Sequence, residues 1–276
     1  MIEIKDLNFS YGAKEVLSNI TLNMEAGRIY GLLGENGVGK STLLKLISGL
    51  LAPKYGSCSV NGLTPYDRLP SFLSDIYYLP EDFAGGNVKV EDYALRVGGF
   101  YPNFSAERFY KIAEEFSVDV KSKFAKLSFG QQKKGIISLA LALGTKVLIM
   151  DEPTNGLDIP SKVVLRRLIA ENASDEQLII ISTHQVRDLD NLIDPIIILD
   201  NKETLLNASI QQITHKLSFC LESMRDADAI YSEQTINGYI NVRRRMDDDI
   251  PETLVDVEVL FNSVLANKTF YKELFS

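Results

Sequence analysis

The stretch Gly34-Glu35-Asn36-Gly37-Val38-Gly39-Lys40-Ser41-Thr42 constrains this chain more than any other. It reads glycine, four residues, then Gly-Lys-Ser, a spacing that predicts a phosphate cradle. A glycine-rich loop lets successive backbone N–H groups turn inward and form a concave anion nest. The chain must then enter a helix, whose N-terminus adds partial positive charge. In such a cradle Lys40 would reach the β- and γ-phosphates of a nucleotide, and the Ser41 hydroxyl would take a site on Mg²⁺. The flanks agree. Arg28 to Leu33 is a short apolar run that reads as a buried parallel strand, and Leu43, Leu44, Leu46, Ile47 and Leu50 recur at helical spacing over residues 41–50. Strand, loop and helix stand in the order the motif requires.

A second signal lies more than a hundred residues on. Val147-Leu148-Ile149-Met150 is followed by Asp151-Glu152-Pro153. Four apolar residues leading into two carboxylates predict a buried strand that delivers both acids at its C-terminal edge, where open α/β sheets bind ligands. Carboxylates are costly there without a partner. A Mg²⁺ shared by Asp151, Ser41 and the phosphates would compensate the charge. Glu152, one residue further, is placed to orient an attacking water or accept its proton.

Around these anchors the chain reads as alternating strands and helices. Residues 2–10 and 16–24 predict two strands, with a turn at Ser10-Tyr11-Gly12-Ala13 between them. Tyr11 is an aromatic that could stack on a base or simply cover a core edge. Short strands are expected at 56–62, closed by an Asn-Gly turn, and at 76–81, ended by Pro80. Residues 90–100 and 105–116 carry helical spacing and form a helical insertion. Leu127-Ser128-Phe129-Gly130-Gln131 opens a nearly continuous apolar helix, whose first N–H groups could meet an anion or be an ordinary serine cap. A helix over 160–172 follows, then apolar strands at 178–184 and 195–200. His184 ends the first of these, either as a phosphate sensor or as a structural histidine. After about residue 210 short alternating segments predict a small α+β region. Within it, an amphipathic helix is expected to start at Asp247, and Arg243-Arg244-Arg245 is expected to face Asp247-Asp248-Asp249 as solvated charge clusters.

Composition narrows the function classes. With 37 acidic and 29 basic residues among 276, the formal charge is −8, which disfavours non-specific nucleic-acid binding. No run of 18 apolar residues exists, and the N-terminus lacks a signal-peptide pattern. Cys58 and Cys220 show no metal spacing, so free thiols in a cytosolic compartment are expected.

Taken together, the motifs resemble those of an ATP-binding-cassette (ABC) ATPase over roughly residues 1–215. Tyr11 resembles the aromatic A-loop, Gly34–Thr42 Walker A, Leu127–Gln131 the LSGGQ signature, Val147–Asp151 Walker B with Glu152 as catalytic base, Thr154–Asp158 the D-loop and His184 the switch histidine. Two positions depart from the family pattern. Glu81 stands where the Q-loop glutamine is expected, and Phe129 replaces the first glycine of the signature.

The resemblance implies an α/β fold: a RecA-like P-loop core, an antiparallel β subdomain, a helical signature subdomain over about 88–145, and an α+β accessory region at 216–276. It implies Glu152, His184 and Lys40 as catalytic residues. Expected nucleotide contacts are Tyr11, Val16, Gly34, Glu35, Asn36, Gly37, Val38, Gly39, Lys40, Ser41, Thr42, Ser128, Phe129, Gly130, Gln131 and Asp158. Ser41, Asp151 and Glu81 are expected at Mg²⁺. The expected function is ATP hydrolysis as the energising subunit of an exporter-like transporter, on the inner face of the cell membrane. The expected partners are a second copy of itself, sandwiching ATP, and a separate integral-membrane permease. A soluble ABC ATPase acting on ribosomes or DNA is the alternative, disfavoured by the single cassette and the absence of a basic tract.

Overall fold

The computed structural model describes residues 1–189, 191–245 and 253–275. The chain opens with β1 (Ile2–Tyr11) and β2 (Lys14–Met24), an antiparallel hairpin, and then β3 (Arg28–Leu33). Helix α1 (Lys40–Ile47) follows the glycine-rich loop, and β4 (Tyr55–Val60) returns to pair with β1. Alternation along β1 puts Ile2, Ile4, Leu7 and Phe9 on the buried face, so the sheet β2-β1-β4 lays one apolar side on the core.

Next come α2 (Pro70–Leu73), β5 (Ile76–Leu79), α3 (Val90–Gly98), α4 (Ala106–Glu115) and α5 (Phe129–Ala142). The remaining elements are β6 (Val147–Asp151), α6 (Ile159–Asn172), β7 (Leu178–Thr183), β8 (Ile196–Asp200), β9 (Glu203–Ala208), α7 (Ile210–Lys216), β10 (Leu217–Glu222), β11 (Tyr231–Thr235), β12 (Gly238–Arg244), α8 (Val257–Ala266) and α9 (Lys268–Phe275).

The central sheet runs β5-β6-β7-β3-β8-β9. Its first five strands are parallel and read as unbroken apolar runs, as strands covered on both faces must. Strand β9 closes one edge antiparallel to β8. Register fixes the functional edge, because Ser182 of β7 lies beside both Asp151 of β6 and Leu32 of β3. Two strand spacings of about 4.8 Å therefore separate Asp151 from the strand that feeds the glycine-rich loop, roughly 10 Å in all.

Several boundaries differ from the sequence expectation. Helix α1 stops at Ile47 rather than reaching Leu50, because Gly49 takes a left-handed φ of +71° and leaves Leu50 half exposed. Strand β2 begins two residues before Val16. Strand β9 and helix α7 were hidden behind the Asn201-Lys202-Glu203 turn. Helix α8 begins at Val257, where Asp256 caps it by accepting from the N–H groups of Glu258 and Val259, so Leu254 and Val255 precede the helix. Of the start expected for that helix, Asp247 to Glu252 lie outside the described residues. The Arg243 guanidinium is held by Glu222 and Asp226 of its own sheet region, while Asp247, Asp248 and Asp249, expected opposite the arginines, lie outside the described residues.

The sheet β10-β12-β11 and helices α8 and α9 share one hydrophobic cluster with the six-stranded sheet and its helices. Leu217, Phe219, Val242 and Leu260 belong to the same buried set as Leu165, Ile179 and Leu206. Glu258 of α8 pairs with Arg187, on the 3-10 turn Val186–Leu189 that begins two residues after His184.

Candidate functional site

The loop after β3 forms the nest its sequence predicts. Gly37 and Gly39 take left-handed φ values of +84° and +112°, which side chains resist. A Cβ on Gly39 would also stand 2.8 Å from Leu17 and 3.3 Å from Val16 Cγ1, so Val16 forms the wall behind the loop. Helix α1 has no side-chain cap, which leaves its first N–H groups open to an anion. Lys40 is buried and donates to the carbonyls of Gly34 at 2.7 Å and Glu35 at 3.1 Å. Its Nζ also lies 3.4 Å from Glu152 Oε1.

At the end of β6 both carboxylates are buried. Asp151 accepts from the Ser182 hydroxyl at 2.5 Å and the Tyr78 hydroxyl at 3.0 Å, one on each oxygen. Burial, and then the Asp151 charge, push the Tyr78 phenol far up, so it stays a donor. Glu152 turns away from the strand at φ 46°, and its N–H donates to Ser182 Oγ at 3.0 Å. That turn brings its carboxylate within 3.0 Å of His184 Nδ1, while the His184 N–H reaches the other oxygen at 3.4 Å. Lys40, Glu152 and His184 thus meet at one point, although they come from three separate elements.

The strand-β5 edge is tied in by Glu81. Its side chain accepts from Asn155 Nδ2 at 2.8 Å, and its main-chain carbonyl accepts from Lys133 Nζ at 2.7 Å. The signature segment opens α5: Ser128 caps it by accepting from the Gln131 N–H at 3.3 Å. Phe129 is half exposed, with its ring against Gly156, where any Cβ would fall 2.4 Å from Phe129 Cε1. Gly130 approaches the Gly156 carbonyl so closely that a Cβ would sit 2.8 Å from that oxygen. Gln131 Oε1 and Thr154 Oγ1 are buried without a hydrogen-bond partner.

Asp158 caps α6 by accepting from the Ser161 N–H, and hydrogen bonding to the Ser161 side chain is the chief reason its carboxyl lies below the usual range. Lys134 Nζ stands 3.7 Å from it. Tyr11 ends β1 half exposed, edge-on to Phe9 with centroids 4.9 Å apart.

The structure therefore gathers Gly34 to Thr42, Asp151, Glu152, His184 and Glu81 at the C-terminal edge of the sheet. Ser128 to Gln131 lie apart from the loop, at the head of α5 against the Thr154–Asp158 turn. Sequence reasoning missed Ser182, Tyr78, Asn155 and Lys133. Ser182 had one signal, a serine ending a run of one leucine and three isoleucines, but its pairing with Asp151 needs the strand order. Lys133 could not be told from its neighbour Lys134, since only packing shows which of the two is buried.

Comparison with known proteins places this geometry. The family model of the ABC transporter matches residues 17–155. An uncharacterized ABC transporter ATP-binding protein of Methanocaldococcus jannaschii is 28% identical over 256 residues, covering 90% of this chain and 92% of that protein. The lantibiotic transport ATP-binding protein SrtF of Streptococcus pyogenes is 31% identical over 201 residues, 70% of this chain and 84% of its own length. Among solved structures, an ATP-binding subunit of an ABC transporter matches with a TM-score of 0.69 at 28% identity, over 77% of this chain and 91% of that one. A dimeric ATP-binding cassette bound to ADP and Pi shares the fold, with a TM-score of 0.66 at 23% identity over 76% of this chain and 98% of that one. The chain belongs to the ABC transporter family, as one of its ATP-binding, ATP-hydrolysing proteins.

Proposed function

We propose that this chain is the ATPase subunit that energises a separate membrane permease, working as a homodimer at the inner face of the membrane. Residues 1–215 form the cassette and 216–276 an accessory region. The observation that carries the reading is the meeting of Lys40, Glu152 and His184, with Glu152 Oε1 3.4 Å from the lysine and 3.0 Å from the histidine.

On ATP binding, the phosphates occupy the nest of Gly34 to Thr42. Lys40 exchanges the neutral carbonyls of Gly34 and Glu35 for phosphate oxygens, and charge-assisted bonds to those oxygens are the stronger ones. The exchange takes the lysine from Glu152, whose carboxylate then orients a water and accepts its proton. His184 stays beside Glu152 and donates toward the γ-phosphate. Tyr11 stacks on the base, and Val16 lines the wall beside it.

Asp151 and Ser41 offer the hard oxygen donors that Mg²⁺ takes alongside phosphates, and Glu81 would act through water. When bound, Mg²⁺ neutralises charge on the transferring phosphoryl group. Ser128 to Gln131 of a second copy would close over the nucleotide, and Asp158 would line that junction. The unpartnered Gln131 Oε1 and the exposed Phe129 support an incomplete site awaiting a partner.

A hollow of about 540 Å³ is the docking place this reading assigns to the permease. It is lined by Leu50, Leu73, Tyr77, Val97, Phe100 and Tyr101, between α1 and the helical subdomain, and Phe100 is 79% exposed beside it. Tyr78, which also lines it, reaches Asp151, so an apolar segment docked there would feel the metal site. The test is a tagged pull-down from detergent-solubilised membranes, with Phe100→Glu in parallel. Stoichiometric recovery of a polytopic membrane protein, lost in the variant, supports the reading. Recovery of only ribosomal or other soluble partners would sink it.

A further inference from the structure

Lys133 is only 1% exposed, yet it lies in the second turn of α5 behind the reaction site. Burying a lysine is costly unless its donors are used. Here the ammonium donates to the carbonyls of Glu81 at 2.7 Å and Pro80 at 3.4 Å. It makes no ion pair among the described residues. Burial is the dominant influence and holds the ammonium below the usual lysine range, while the charges of Glu81, Asp151, Asp82 and Glu152 act the other way and favour its charged form. The residue it anchors is held at both ends, because the Glu81 side chain is bonded to Asn155 of the Thr154–Asp158 turn. One lysine thus joins the signature helix to the Glu81 segment, and Glu81 joins that segment to the turn before α6.

We propose that Lys133 is a positioning residue for ATP hydrolysis: it pins the Pro80–Glu81 main chain to the signature helix and supplies the positive charge that lets a glutamate stand at position 81 beside Asp151 and Glu152. A glutamine at position 81 would need no such compensation. With glutamate, Lys133 faces the charge of Glu81 together with those of Asp151 and Glu152, and without the lysine that negative charge is left uncompensated. The bonds to two successive carbonyls also make the Glu81 segment and α5 move as one unit.

The inference rests on the proposed catalytic site, so the wild type is measured alongside. Lys133→Met keeps the length of the side chain and removes both charge and donors. Lys133→Gln keeps a donor alone, and Glu81→Gln removes one of the opposing charges. Steady-state ATPase is measured for each, and for Lys133→Met/Glu81→Gln, as a function of Mg²⁺. Hydrogen exchange is followed over residues 78–84, and thermal melting identifies any variant that fails to fold.

Lys133→Met is expected to lower kcat at least tenfold and to speed exchange at 78–84 at least tenfold, with its melting point near that of the wild type. Glu81→Gln in that background is expected to recover at least threefold in kcat. Lys133→Gln is expected to fall between Lys133→Met and the wild type in exchange. Strictly multiplicative effects of the two substitutions, or unchanged exchange at 78–84 in a folded Lys133→Met, would overturn the proposal. If Lys133→Met does not fold, folded Lys133→Gln with wild-type kcat and exchange would overturn it instead. A wild type that hydrolyses no ATP would overturn the site reading itself, and this inference with it.

Discussion

Replacing Ser182 by alanine tests how two adjacent carboxylates are kept apart in role. Its hydroxyl is fully buried, donates to Asp151 at 2.5 Å and accepts from the Glu152 N–H at 3.0 Å. The variant leaves Asp151 with the Tyr78 hydroxyl alone, and leaves the Glu152 N–H with the Ser182 carbonyl at 3.2 Å. The amide therefore keeps a partner, and the larger loss falls on the carboxylate. A hydrogen bond to a charged group contributes about 1.5–3 kcal/mol, and the cavity left by one oxygen is small. Stability should fall by roughly 2 kcal/mol, which for a chain of this size lowers the melting point by about 4–8 °C. Under the Mg²⁺ role proposed for Asp151, function should suffer through the metal, because a ligating carboxylate that loses an orienting partner typically loses 10–100-fold in metal affinity or activity. The assay is a Mg²⁺ titration of ATPase activity at saturating ATP, with thermal melting in parallel. The Mg²⁺ midpoint should rise about tenfold or more, and Ser182→Thr should keep most of the wild-type affinity. A Ser182→Ala protein with an unchanged melting point and Mg²⁺ midpoint would refute the reasoning.

Other consequences follow from the same geometry. Gly130→Ala should gain up to about 1 kcal/mol of helix propensity, yet its Cβ would stand 2.8 Å from the Gly156 carbonyl oxygen. The variant should melt within a few degrees of the wild type while its ATPase activity falls at least tenfold, and full activity would argue against close signature-to-turn contact. Burial raises the Cys58 thiol from 9.0 to about 12 and the Tyr271 phenol from 10.0 to about 12, and pushes Tyr77 and Tyr78 higher still. Groups raised on folding stay neutral while the unfolded chain ionises, so the contribution is intact below pH 9 for Cys58 and below pH 10 for the tyrosines, and is lost above that by about 1.4 kcal/mol per pH unit for each group. Urea midpoints should be flat from pH 7 to 9 and fall steeply toward pH 11, whereas a flat profile to pH 11 would contradict the burial. Ending the chain at Lys216 strips Leu217, Phe219, Val242 and Leu260 from the shared cluster, so the product should be largely insoluble. Recovery of a monodisperse, active fragment would show the accessory region to be an independent unit.

Legibility followed how local each signal is. The glycine-rich loop was readable because its function lies in its own backbone: positive φ at Gly37 and Gly39 and an uncapped helix start are all coded within nine residues. The buried strands were readable from apolar runs bounded by Gly, Pro and carboxylates. What stayed hidden depends on contacts between distant segments. Ser182 matters because β7 lies between β6 and β3, an order no local pattern carries. Tyr78 and Asp151 are 73 residues apart in sequence, and Lys133 and Glu81 are 52 apart. Strand β9 was missed because it alternates weakly and takes its apolar character from the edge it closes. The start of α8 was misplaced because Leu254 and Val255 continue its apolar pattern, while the capping carboxylate that sets the boundary is Asp256.

The central claim is that Glu152, held between Lys40 and His184, is the group that activates water for ATP hydrolysis. The most direct test compares wild type and Glu152→Gln for ATPase activity and, by size-exclusion chromatography with light scattering, for assembly with Mg²⁺ and ATP. The account predicts that the wild type turns over, that Glu152→Gln loses at least 100-fold in kcat while still binding ATP, and that the variant elutes as a dimer only when ATP is present. Hydrolysis by Glu152→Gln at the wild-type rate would contradict it.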